Sequence, residues 1–229
     1  MRYIFILLLP ILAFGASFIE TEDCITLQGD TDYILIKKTD AYIPPISGII
    51  VHDYSGNGND GTNYGAVYAD CKLTFDGVND YVDTGLIPKD NWQYKIKARA
   101  ILLLDGARYI VGYRSPETVR ADIGFSIDSW VYSYGSSYDL TSGTSDTETH
   151  TFLLSNGYFY VDNIFQGNRS YSFGTADRSV FLGARNYYTG SIEGFANCEI
   201  MEYECYTNNV LIQHFDFTTT ESKYLRFTP

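Results

Sequence analysis

From Asp23 onward, turn signals recur about every ten residues between short runs of β-branched and aromatic residues, and no eleven-residue window carries helical periodicity. A chain punctuated this closely cannot present a continuous helical face to a core. It can bury one face of each of many short strands, because successive side chains in a strand alternate sides. Aromatic residues make up 16% of the chain, with 21 Tyr and 14 Phe, a usage that suits half-buried pleated surfaces. The pattern predicts an all-β fold, an antiparallel β-sandwich. With no charge block, Pro-rich linker or internal repeat, residues 18–229 are expected to form one domain, a size that such sandwiches reach around a single core.

The clearest local unit is Thr151-Phe-Leu-Leu-Ser-Asn-Gly-Tyr-Phe-Tyr-Val-Asp162. Asn156-Gly157 supplies the two positive-φ positions of a type I′ turn, so the segment reads as a hairpin. Counting outward pairs Leu154 with Phe159 and Phe152 with Val161 on a core face, and Leu153 with Tyr160 on a partly exposed one. Further strands are expected over 33–37, 48–52, 72–75, 92–104, 109–113, 123–126, 130–134, 179–183, 196–206 and 210–215, with Asn208-Asn209 turning the last hairpin.

Residues 1–17 read as a secretory signal peptide: Arg2, an apolar run from Tyr3 to Phe14, then the small residues Gly15, Ala16 and Ser17. The run of about 12 apolar residues falls short of the roughly 20 that a spanning helix needs, so no membrane span is expected in the mature chain. The expected location is secreted or at an extracellular surface. Export would place Cys24, Cys71, Cys198 and Cys205 in an oxidising setting, where two disulfides in three pairings are possible. If Cys198 to Cys205 is one continuous strand, its ends lie about 23 Å apart, so these two would pair with Cys24 and Cys71 and not with each other. Asn168 opens an Asn-x-Ser sequon, which is compatible with export. The net charge of −12 opposes binding to nucleic acid, whose phosphates would meet a repulsive field.

Val51-His-Asp-Tyr-Ser-Gly-Asn-Gly-Asn-Asp-Gly-Thr62, followed by Leu73-Thr-Phe-Asp-Gly-Val-Asn-Asp-Tyr-Val82, resembles the signature of laminin-G-like domains of the concanavalin-A-like jelly-roll class. Tyr160-Val-Asp-Asn163 and Phe181-Leu-Gly183 follow in the order such domains show, so the resemblance spans residues 48–206. It implies a jelly-roll sandwich and permits calcium at Asp53, Asn57 and Asp76, whose oxygens suit a hard cation. In the other reading of these residues, Asp53 and Asp76 bond the backbone amides of their own turns. The fold hosts lectins, adhesion modules, viral and phage surface proteins and glycanases alike, so the resemblance does not choose a ligand.

Three functional readings follow. Trp130, Tyr132 and Tyr134 share one face of a strand, either as a row that stacks sugar rings or as core. Tyr187 and Tyr188, with Arg185, fall in an expected rim loop where binding residues often lie. Together they make up the candidate ligand site of a lectin-like module that binds glycan or glycoconjugate. An adhesive surface protein that binds an extracellular protein or its own copies is the alternative. A glycoside hydrolase is the third reading, through Glu202 and Glu204. On an unbroken strand those two share a face with Ile200, Glu199 points away, and the third acid of the glycanase pattern is missing. With no nucleophile elbow and no phosphate loop either, the expectation is a binding protein and not an enzyme.

Overall fold

A computed structural model describes residues 17–20, 24–28, 33–37, 49–69, 71–89, 91–115, 119–135, 139–168, 176–218 and 225–227. Residues 1–16 of the expected signal peptide lie outside them. Every regular element among the described residues is a strand, and the strands form two sheets packed face to face as an antiparallel β-sandwich. No helix among the described residues is long and apolar enough to cross a membrane.

The smaller sheet runs in the order Ile164–Asn168, Tyr158–Val161, His150–Ser155, Trp92–Ala100, Asn197–Thr207, Lys72–Asp76, Val67–Ala69, with Val210–Asp216 on the far half of Asn197–Thr207. The expected hairpin is present in the expected register, with Phe152 opposite Val161 and Leu154 opposite Phe159, all four buried. Asn156 and Gly157 take φ of 50° and 83°, and Asn208 and Asn209 take 48° and 63°, as type I′ turns require. The strand expected over 92–104 stops at Ala100, because the amides of Ile101 and Leu102 turn to the carbonyl of Asn197.

The larger sheet places Ile49–Val51, Gly61–Tyr64, Tyr81–Asp83, Phe181–Leu182, Arg108–Arg114, Ala121–Phe125, Trp130–Tyr134 and Leu140–Ser142 side by side. Its inner face contributes Val82, Leu182, Ile123, Phe125 and Tyr113 to the core, against Tyr94, Ile96, Phe152 and Phe159 of the other sheet. Its outer face is also largely covered. Arg185–Tyr187 lies parallel to the end of Arg108–Arg114 and pairs with Ile192–Glu193, so a small hairpin rests on the sheet. Gly112 makes this approach possible: a Cβ there would lie 2.7 Å from Arg185 Cα.

Cys71, Cys198 and Cys205 are free thiols. Cys198 and Cys205 sit on the core face of one strand, where burial pushes both thiols up, Cys205 to about 12. The expected pairing of these two cysteines with Cys24 and Cys71 is not what the structure shows for Cys71, Cys198 and Cys205.

Candidate functional site

The strand Trp130–Tyr134 points its three aromatics inward. Trp130, Tyr132 and Tyr134 are 4%, 4% and 3% exposed and belong to the core. Trp130 meets Phe152 edge-on at 5.2 Å, and Tyr132 stacks on Phe159 at 4.7 Å and 17°. Of the two sequence readings, the core one describes these rings, and none offers a face to a sugar. The outward residues of the same strand, Val131 and Ser133, are buried too, because loops and the small hairpin cover the outer face.

Arg185 is likewise internal. Its guanidinium bonds Asp139 at 3.2 Å and 3.3 Å, approaches Asp122 at 3.5 Å, binds Glu193 through Nε at 2.9 Å, and lies 4.0 Å over the Tyr109 ring. Asp122 is fully buried and takes further bonds from the Ser133 hydroxyl and the Tyr113 amide. Burial drives its pKa up while Arg185 pulls it down, and burial prevails. This network clamps the Arg185–Glu193 hairpin to the sheet, so Arg185 is a positioning residue and not a free ligand contact. Tyr187 ends the first strand of that hairpin and Tyr188 opens its turn, their rings 4.4 Å apart, with Arg114 stacked 4.7 Å over Tyr187 and Tyr188 37% exposed.

The clamped hairpin forms one wall of a cavity of about 550 Å³ on the outer face. Asn186, Gly190 and Ile192 come from the hairpin, Tyr81, Asp83 and Phe181 from the sheet, and Asp177, Arg178 and Ser179 from the segment before Phe181. Three rings form a ladder across the sheet: Tyr64 stacks on Tyr81 at 4.6 Å and 13°, and Tyr81 on Phe181 at 4.7 Å and 23°. This spacing matches the separation of neighbouring strands, so the rings stand upright, with Tyr64 and Tyr81 half-buried and Phe181 buried beneath the cavity. Burial, with Tyr64 and Asp83 nearby, raises the Tyr81 hydroxyl above its usual range. Asp83 holds the Gly85 amide, Asp177 accepts from the Tyr113 hydroxyl, and Asn186 donates to the Ser179 carbonyl, so the polar wall is preorganised. Arg178 carries no ion pair among the described residues, and its Nε is buried without a hydrogen-bond partner. Sequence reasoning did not single out this ladder. In the sequence the Asp80-Tyr81-Val82 motif and Phe181-Leu182 carry only a fold resemblance, and cross-strand stacking between distant segments leaves no local mark.

The three expected calcium ligands occupy two separate turns. Asp53 is buried, and its carboxylate accepts four bonds, from the amides of Ser55, Asn59 and His214 and the Ser55 hydroxyl, at 2.8–2.9 Å. Burial opposes its charge, but these donors outweigh burial and hold the carboxyl below its usual range. Asn57 is exposed and donates to Ser55 Oγ and the carbonyls of Leu211 and Ile212. Asp76 belongs to another turn, where it accepts from the amides of Val78 and Asn79. Both aspartates therefore do the work of the turn-bonding reading.

The outer face of the smaller sheet carries the acids of the glycanase reading. A β-bulge between Ile200 and Glu202 inserts Met201, and this changes the expected facing. Ile200 stays in the core, whereas Glu199, Glu202 and Glu204 share the outer face with Lys95, Lys97 and Arg99 of the neighbouring strand. Glu199 pairs with Lys72 at 2.9 Å and with Arg99, and Glu204 pairs with Lys95 and accepts from Tyr206 at 2.7 Å. Despite desolvation, the Lys95 and Tyr206 donors lower Glu204, opposite to what a general acid requires.

No protein-family model matches this sequence, and no curated protein does. Solved structures of Trypanosoma rangeli sialidase are similar in fold. One, in complex with 2,3-difluorosialic acid as a covalent intermediate, aligns over 91% of this chain and 43% of its own with TM-score 0.52 and 11% identity. A mutant displaying trans-sialidase activity aligns over 83% and 41% with TM-score 0.50 and 11% identity. A complex with the inhibitor DANA aligns over 90% and 43% with TM-score 0.50 and 9% identity. The chain therefore spans less than half the length of the sialidases it resembles.

Proposed function

We propose that this chain is a lectin-like recognition module acting outside the cell, and that it binds glycan in the cavity between the Tyr64, Tyr81 and Phe181 ladder and the Arg185–Glu193 hairpin. The observation that carries the reading is the pairing of an aromatic strip with a fixed polar wall in one groove. Asp83, Asp177, Arg178 and Asn186 line the groove together and supply acceptors and donors for sugar hydroxyls, while ring edges and Ile87 meet the apolar parts of a sugar. The size, about 550 Å³, suits one or two sugar rings. Fold likeness to a sialidase agrees with a glycan-related role. The reading is of binding and not catalysis, and it places no calcium at Asp53.

The purified chain, applied to a broad panel of glycans, tests it. Saturable binding to one class, reduced about tenfold or more by Tyr81→Ala or Arg178→Ala with the fold intact, is the expected result. A blank panel with folded protein ends the reading.

A second observation favours the adhesive alternative. Ile164–Asn168 is the edge strand of the smaller sheet, and Ile164 and Phe165 on it are 65% and 54% exposed beside the half-exposed Tyr158. Unpaired edges with apolar side chains are templates for association. Sedimentation that shows self-association, abolished by Ile164→Lys, would support it.

A further inference from the structure

The geometry points to a second site: Glu202, Glu204 and His214, on the outer face of the smaller sheet, bind a divalent transition-metal cation of the zinc class. His214 stands directly opposite Glu204 in the antiparallel register, and its Nε2 lies 3.2 Å from Glu202 Oε1. One ligand atom from each of the three residues falls within 4.8 Å of the others. Donors around a tetrahedral zinc stand roughly 3.4 Å apart, so small rotamer changes close the set. The bulge at Met201 is what makes the constellation possible. In a regular strand Ile200 and Glu202 would share the core face, and only the bulge turns Glu202 outward beside His214.

The donor set selects the metal. An imidazole with two carboxylates suits zinc and its neighbours, whereas calcium and magnesium take oxygen alone. The Tyr206 hydroxyl on Glu204 Oε1 orients that carboxylate from behind, in the manner of groups that support metal ligands. A cation already stands at the cluster: the Lys95 ammonium bonds Glu204 Oε2. The Lys95 side chain is 43% exposed, so a metal can displace the ammonium into water and take its place on the carboxylate. Three protein ligands leave the remaining position to water. This site is independent of the glycan groove, which lies on the other sheet.

Cobalt(II) titration of the full chain, followed by visible absorption, and zinc(II) titration by calorimetry test the proposal. The expected result is one metal per chain, weakened about tenfold or more by His214→Gln and by Glu202→Gln and tightened by Lys95→Met, with circular dichroism unchanged. Absence of one-to-one binding overturns it, as does a cobalt spectrum that survives unaltered in folded His214→Gln protein. Lys95→Met binding no tighter than the native chain also overturns the placement of the cation at the ammonium.

Discussion

Tyr132 stacks on Phe159 across the sandwich interior, 4.7 Å between ring centroids and 17° between planes, so a residue on the larger sheet is fixed by the turn-proximal strand of the hairpin on the smaller one. The contact makes the aromatic strand Trp130–Tyr134 a stability element. Trp130→Ala and Tyr132→Ala are each expected to cost about 3–5 kcal/mol, the usual range for deleting a buried ring. Urea denaturation would show this as a lower midpoint with an unchanged slope. A variant that loses glycan binding at native stability would contradict the core assignment.

The Asp53 carboxylate joins its own loop to the strand Val210–Asp216 through the His214 amide. Asp53→Ala strands four donors and is expected to destabilise by about 3 kcal/mol. Because the folded pKa is depressed, the stabilisation is complete above the unfolded value near 3.9 and is lost as pH falls through the lower folded value. Thermal melts between about pH 2 and pH 5 should therefore show a steeper fall for the native chain than for Asp53→Ala.

His150 is held between two carboxylates, Asp162 at 2.6 Å and Asp146 at 2.8 Å. Burial lowers its pKa, but the two acids prevail and raise it. The raised value means that this stabilisation is complete below about pH 6.5 and disappears as pH rises through the folded pKa. Both acids are half exposed, so the effect is no more than about 1 kcal/mol. An NMR titration should place His150 above a free histidine, and His150→Gln should flatten the stability profile above pH 6. A titration at or below the free value would refute the pairing of His150 with Asp146 and Asp162.

Cys198 and Cys205 are buried thiols whose pKa values burial raises, so both stay in the unreactive thiol form at neutral pH. Alkylation of the native protein is expected to spare both and to modify them after unfolding, as read by mass spectrometry. Protection that persists after unfolding and disappears only with reductant would instead reveal disulfides.

Strand positions and turn types were legible because they depend on local rules. The Asn156-Gly157 and Asn208-Asn209 turns, the hairpin register and the strands 33–37 and 130–134 follow from positive-φ residues and alternation alone. The short strands Gly61–Tyr64 and Tyr81–Asp83 were not legible, since three or four residues are too few to establish a period. They carry Tyr64 and Tyr81 of the ring ladder, and Tyr81 lines the cavity. The facing of Glu202 was misread for a different reason: a bulge is a one-residue slip in pairing with a neighbour, and nothing within the strand records it.

The sequence by itself determined that this protein is a β-sandwich, where its tightest turns lie, and which residues of the central hairpin face the core. These are consequences of backbone sterics and of a side-chain period of two, which act within a few residues. Tertiary structure alone decided that neither face of Trp130–Tyr134 meets solvent, because both faces of that strand are covered. It also decided that Arg185 is a clamp, that Tyr64, Tyr81 and Phe181 form a ladder, and that Glu202, Glu204 and His214 converge. Each of these depends on segments far apart in the chain being brought within a few ångströms, and that proximity exists only once the sheets have paired.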